Sequence, residues 1–275
     1  MRLDRRYRVI PDSGLELLAA SYHGHRFVPH AHDYAVLAIT ESGEAAGLEG
    51  DQGDQGDQGD RLGPGAVLLI PPRVIHAARS VGSSPWQYRA FYLSAERFYS
   101  AAGARAQGQD QMATVVHHSP RLAKRLRELH RDLEAGTDGC ITSALDATLP
   151  ELEPLFDRAF RGRAARSPDG AAQRARSLID RTPLHRWSLG SISQAVGVSP
   201  FHLCHSFHRE VGTSPYAYAL QRRVSVARER LAAPGTISQV AHELGFADQS
   251  HLTRLFLRVF GVSPGEYRAA VVGAR

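Results

Sequence analysis

Residues 196–218, VGVSPFHLCHSFHREVGTSPYAY, and residues 237–268, ISQVAHELGFADQSHLTRLFLRVFGVSPGEYR, carry the same pattern twice. Anchored on Gly197 and Gly245, each copy runs on to a Leu (Leu203; Leu252) and a Phe four residues further (Phe207; Phe256). Each then reaches a Gly (Gly212; Gly261), a Ser-Pro (Ser214-Pro215; Ser263-Pro264) and a Tyr (Tyr218; Tyr267). The offset is 48 residues at the first glycine and 49 afterwards, because the second turn holds one extra residue. A repeat of this length points to a duplicated supersecondary unit.

The repeat has a mechanical reading. A short helix, opening at Ile192 or Ile237, ends at a glycine, which adopts the left-handed conformation at little cost. Ser193 and Ala241, four residues before, are small enough for a second helix to cross closely. That helix starts at an N-cap, Ser199 followed by Pro200 in the first unit and Asp248 in the second. Its Leu and Phe bury one face and leave the other outward. The result is a helix-turn-helix, whose second helix is the one that enters a major groove. Between the units, 216–231 is an unbroken helical pattern up to Pro234-Gly235. Such a helix would hold the two motifs at a fixed separation.

Composition agrees. Of 275 residues, 43% are hydrophobic and 22% charged, which excludes a disordered or fibrous chain. The longest aliphatic run, 66–70, is far short of the roughly 20 residues of a membrane span. The N-terminal MRLDRRYRVIPD has charge without an apolar stretch behind it, so no secretory signal is expected. Two cysteines, Cys140 and Cys204, make no disulfide framework, and a cytoplasmic location is expected. Residues 1–170 hold 20 basic against 22 acidic side chains, whereas 171–275 hold 13 against 6. A basic last third on a mildly acidic body fits contact with nucleic acid there.

The first hundred residues read as β. Apolar stretches at 15–20, 35–40, 66–70 and 88–93, punctuated by Gly, Pro and Asp, suit an antiparallel sandwich or barrel. DQGDQGDQGD, 51–60, has nothing to bury and is expected at a mobile hairpin tip; it lacks the closing acid of a calcium loop. From Ser119 the period changes. Leu122, Leu126, Leu129 and Leu133 form one stripe on a helix capped by Ser119-Pro120 and ended by Gly136. The stripe suits either packing on the sheet or a dimerising pair. A second helical stretch with Ile141, Leu145, Leu149, Leu152, Leu155 and Phe156 is interrupted by Pro150 and Pro154. Residues 163–172 read as a linker. The expected domains are therefore 1–118, a helical segment 119–162, the linker, and 173–275.

With VGVSPFHLCHSFHREVGTSPYAY, RRVSVARERL (222–231) and ISQVAHELGFADQSHLTRLFLRVFGVSPGEYR, the chain resembles the AraC/XylS family of bacterial transcription regulators over about 171–268. The resemblance implies a seven-helix domain on double-stranded DNA, its two recognition helices in adjacent major grooves, with RNA polymerase as a partner and a homodimer as the assembly. Phe201, Cys204 and His205 match positions where family members touch bases. In the second unit Gln249, Ser250, His251, Thr253 and Arg254 surround Leu252 and Phe256. Gln249 suits adenine and Arg254 suits guanine. Arg209, Arg258 and Arg222 read as phosphate contacts, which position without specifying sequence. Cys204, His205 and His208 lack a fourth ligand at metal spacing, so no metal is expected there.

VPHAHDYAVLAITESG (28–43) and LGPGAVLLIPPRVIHAAR (62–79) resemble the cupin-type sensor domain that precedes many such regulators. The fold expected is thus α+β: a cupin-like β-barrel, then helices, then an all-α domain with two helix-turn-helix motifs. His30, His32 and His76 stand where metal-binding cupins place three histidines, but the acidic ligand would fall at Val36 or Leu37. The preferred reading is a pocket of His30, His32, Tyr34 and His76 for a small organic effector, with no metal or cofactor, shifting the domain arrangement by differential affinity. Two alternatives are a metal-dependent cupin enzyme with an accessory basic domain, and a ligandless dimerisation barrel. Against an enzyme stand the missing acid and the lack of Gly-x-Ser-x-Gly, a phosphate loop or paired catalytic carboxylates.

Overall fold

Apolar runs in the first 118 residues pair as antiparallel strands. The computed structural model describes residues 5–11, 13–48, 60–103, 112–136, 147–160 and 170–273. Its strands are β1 Arg5–Ile10, β2 Leu15–Tyr22, β3 Arg26–His30, β4 Ala35–Ser42, β5 Glu44–Leu48, β6 Arg61–Leu62, β7 Ala66–Ile70, β8 His76–Val81, β9 Trp86–Leu93 and β10 Val115–His118. A six-stranded sheet in the order β1-β2-β9-β4-β7-β10 faces a four-stranded one in the order β3-β8-β5-β6. The expected cupin-like barrel is therefore two sheets, with no strand pairing that closes them among the described residues. Residues 51–59 of the expected hairpin tip lie outside the described residues.

Between the sheets the interior is filled by aromatic side chains. Trp86 stacks on Tyr88 at 4.4 Å, and Tyr34 meets Tyr92 edge-on at 5.1 Å. The outer face of the large sheet is covered by α1 (Ala95–Ala102), α2 (Pro120–Ala135) and α3 (Leu149–Phe160). The Ser119 side chain accepts from the Leu122 amide and Gly136 closes α2 in a left-handed conformation. Leu122, Leu126, Leu129 and Leu133 are all buried in this second core, so the stripe packs on the sheet. Arg89 of β9, buried, holds α2 there: it donates to Glu41 at 2.9 Å and to Glu134 at 2.6 Å. Helix α3 begins at Leu149 and tolerates Pro154 within it, burying Leu152, Leu155 and Phe156. Ile141 and Leu145 lie outside the described residues.

The last third folds as seven helices between residues 170 and 273: α4 Gly170–Arg181, α5 Leu189–Val196, α6 Pro200–Val211, α7 Pro215–Leu231, α8 Ile237–Glu243, α9 Gln249–Phe260 and α10 Pro264–Gly273. The linker expected over 163–172 ends earlier than the composition suggests, since 170–172 belong to α4. Ala172 is small rather than loose: it packs in one core with Ile179, Ile192, Leu203 and Phe207. The first helix-turn-helix, α5–α6, thus has its own core. The second, α8–α9, shares one with the sandwich interior, where Phe256, Phe260 and Tyr267 join Tyr34 and Tyr92.

Candidate nucleic-acid interface and sensor site

Both recognition helices start as their sequences dictate. Ser199 accepts from the His202 amide with Pro200 in the first turn, and Asp248 accepts from the His251 amide at 2.7 Å. Gly197 and Gly245 are both left-handed, and the extra residue of the second unit falls after the glycine, where Phe246 and Ala247 precede the cap Asp248 while Val198 alone precedes Ser199. Leu203, Phe207, Leu252 and Phe256 are fully buried. That orients the opposite faces outward.

On α6, Phe201 is 84% exposed, His205 and Arg209 are exposed, and Cys204 is half-buried. On α9, Gln249, Ser250, Arg254 and Arg258 are exposed, whereas His251 and Thr253 are half-buried. The His251 ring is tied locally, its Nδ1 accepting from the Ala247 amide at 3.3 Å. Thr253 donates back to the Gln249 carbonyl. Arg209 lies 3.3 Å from Glu210. A fully exposed large aromatic and a row of polar side chains on one helix face suit contact with base edges and phosphates.

Arg222 does not fit the phosphate role expected of it. It is buried, 2.6 Å from Asp33 and 2.9 Å from Asp180, so its charge is already matched. Two other arginines escape a reading of the sequence. Arg186 and Arg223 line a cavity of about 540 Å³ with Tyr216, His242 and His251, at the N-terminal end of α9. Neither has an acidic partner among the described residues. Burial and the Arg186 charge push the Arg223 guanidinium below its usual range, while Arg223 donates to the His185 carbonyl at 2.8 Å. The helical phase of 216–231 is the one available signal, and it does not say which of two consecutive arginines turns inward.

In the sensor, β3 and β8 pair so that His30 faces His76 in register, after a bulge between Phe27 and His30. Pro29 has no amide to give a ladder, which suits the irregularity. His32 follows in the connection to β4, and the Arg73 amide donates to the His32 carbonyl at 2.7 Å, drawing the β7–β8 loop to it. Arg73 itself has φ of +62°, a strained conformation for a side-chain-bearing residue. The four expected residues come together: the His30 and His76 rings lie 4.2 Å apart, His32 and His76 4.7 Å, and His32 stacks on Tyr34 at 4.1 Å. Burial holds His30 down to about 4 and His32 to about 3, and His76 is lowered by burial and by its two neighbours. All three are neutral at physiological pH. Val36 and Leu37 point into the two cores, as their side chains require.

The cluster adjoins the second helix-turn-helix. Gln221 of α7 donates to the Pro29 carbonyl at 2.7 Å and accepts from the Ala31 amide at 3.3 Å. Arg228 lies 4.6 Å above the Tyr34 ring and 5.1 Å from Tyr267, ion-paired with Glu16. Tyr22 and Arg5 both donate to the Gly261 carbonyl, at 2.8 and 2.7 Å. A cavity of about 500 Å³ lies between Val28 and Pro29 of the sensor and His208, Leu255 and Arg258 of the recognition helices. No helix among the described residues is long and apolar enough to cross a membrane.

Comparison with known proteins matches both halves. Residues 12–152, more than half of the chain, fit the AraC-like ligand binding domain, and residues 192–270 fit a helix-turn-helix domain. The HTH-type transcriptional regulator Rv1931c of Mycobacterium tuberculosis is 30% identical over 181 residues, covering 60% of this chain and 62% of that protein. The arabinose operon regulatory protein of Escherichia coli is 33% identical over 93 residues, 34% of this chain and 32% of that protein. The chain thus spans from a third to under two thirds of the length of these relatives. ToxT from Vibrio cholerae superposes over 96% of this chain and 100% of its own, with a TM-score of 0.58 at 12% identity, a likeness of fold. With an AraC-like ligand-binding domain leading into a duplicated helix-turn-helix domain, the chain belongs to the AraC-like family of transcription regulators.

Proposed function

We propose that this protein is a sequence-specific regulator that holds double-stranded DNA through α6 and α9, and that a small effector around His30, His32, Tyr34 and His76 adjusts its grip. One observation carries the reading: two recognition helices bury matching Leu–Phe pairs and leave Phe201, His205, Gln249 and Arg254 outward, on either side of one 17-residue helix. Gln249 and Arg254 read bases, while Arg209 and Arg258 hold phosphates, joined by Arg186 and Arg223. Cys204, Ser250 and His251 complete the DNA-contacting surface. The cytoplasm, RNA polymerase and a second copy of the chain follow from the family resemblance as location and partners. An enzyme reading gains nothing from the site, where Asp33, the carboxylate next to His32 in the chain, is held by Arg222 and Arg73.

The effector side rests on contact. Ligand binding that favours one docking of α7 and α9 on the sensor shifts the population of DNA-competent chains. ToxT, of the same overall fold, has been solved with an unsaturated fatty acid bound, which supports a small-molecule sensor in this architecture. The test is selection of bound duplexes from a random library by the full chain, with and without metabolite extracts. An enriched sequence whose recovery changes with the extract is expected. Recovery without sequence enrichment would contradict the reading.

A further inference from the structure

The three histidines have a more specific chemistry than a generic polar pocket. One ring nitrogen from each of His30, His32 and His76 lies within 4.8 Å of the others. Zinc–imidazole bonds are about 2.0–2.1 Å, so an inward movement of about an ångström closes the three rings on one ion. Each ring is already oriented by its other nitrogen. His30 Nδ1 donates to the Val28 carbonyl at 2.7 Å, His32 Nδ1 to Tyr34 at 2.7 Å and His76 Nδ1 to Val74 at 3.0 Å. Those bonds fix the tautomer that leaves the Nε2 lone pair free. A backbone carbonyl on the second nitrogen is the usual outer support of a metal-bound histidine.

We propose that His30, His32 and His76 form a site for one divalent transition-metal ion of the zinc, cobalt or nickel kind, and that this ion is the effector the sensor reads. The second half rests on the regulator reading above. Three imidazoles with no carboxylate suit these ions and not calcium or magnesium. With Val36 and Leu37 following on β4, the remaining coordination positions stay open to water or a small anion. Arg228, over the Tyr34 ring beside the cluster, is matched by Glu16. His30 lies between Pro29 and Ala31, whose carbonyl and amide hold Gln221 of α7 at 2.7 and 3.3 Å. An ion that draws in the His30 ring therefore bears on how the helix joining the two motifs docks on the sensor.

The test uses the untagged full chain, stripped with chelator and titrated with Co²⁺ by visible absorption and calorimetry. One Co²⁺ per chain, with d–d bands abolished by Zn²⁺, is expected. His76→Ala and the shape-retaining His32→Phe should each weaken uptake by more than about 100-fold, with circular dichroism showing each variant folded. No saturable uptake, or uptake that survives both substitutions, overturns the site. Affinity for a library-selected duplex should differ more than about 5-fold between stripped and loaded protein. Equal affinity with Co²⁺ bound overturns the effector role. A duplex that neither form binds would overturn the DNA reading instead, while the Co²⁺ titration still decides whether the site exists.

Discussion

Arg222 of α7 donates to Asp33 of the sensor across 2.6 Å and lies 2.9 Å from Asp180 of α4. The connecting helix therefore carries a cation matched by one acid from each domain. Asp33 retains Arg73 at 3.0 Å and is about a third exposed, so Arg222→Met should cost about 2 kcal/mol, less than a fully buried pair. Urea unfolding measures it. An unchanged midpoint would show that the contact contributes nothing to docking.

Arg254 and Arg209 should behave differently. Arg254→Ala is expected to lower affinity for a selected duplex by about 1–3 kcal/mol and to relax one base position. Arg209→Ala should weaken all duplexes alike and reduce the salt slope by about 1. Competition binding over a series of salt concentrations separates them. The same salt slope for both variants would argue against this division of labour.

Two left-handed glycines offer a controlled comparison. A side chain at Gly197 meets open space, whereas at Gly261 it falls 2.6 Å from Tyr22 Oη and 3.3 Å from Phe27. Gly197→Ala carries only the conformational cost of about 1–2 kcal/mol. Gly261→Ala adds a clash at the seam between sensor and α9, and its melting temperature should fall at least twice as far. Equal shifts would mean that the seam is loose.

Acid should loosen the attachment of α2. Burial, with the Arg89 charge beside it, holds His130 down to about 4, while an unfolded histidine titrates near 6.5. Between those values the unfolded chain binds the extra proton, so the stability is full above pH 6.5 and falls as pH drops toward 4, by up to about 1.4 kcal/mol per unit. Denaturant midpoints from pH 4.5 to 7 should fall less steeply with acid in His130→Gln than in the parent. Parallel slopes would remove His130 as a cause.

What the sequence discloses follows burial. The four expected strands, β2, β4, β7 and β9, are the central strands of the large sheet, buried on both faces and so written as continuous apolar runs. The edge strands β1 and β10 and the whole small sheet face water in part, and their mixed residues hide them. The helix-turn-helix pair is legible because caps, stop glycines and Leu–Phe spacing are local. Arg222 is misread as a phosphate contact because its partners, Asp33 and Asp180, are distant in the chain. The histidine cluster is legible as residues, but its inward orientation by the Val28, Tyr34 and Val74 carbonyls is not, because backbone acceptors leave no mark in the side-chain pattern.

Hydroxyl-radical footprinting of the full chain on a selected duplex tests the central claim most directly. The account expects two protected patches on one face of the DNA, about 10 base pairs apart centre to centre. The patch nearer α9 should be lost in a Gln249→Ala/Arg254→Ala double variant while the other persists. A single patch, or two on opposite faces of the duplex, would contradict it.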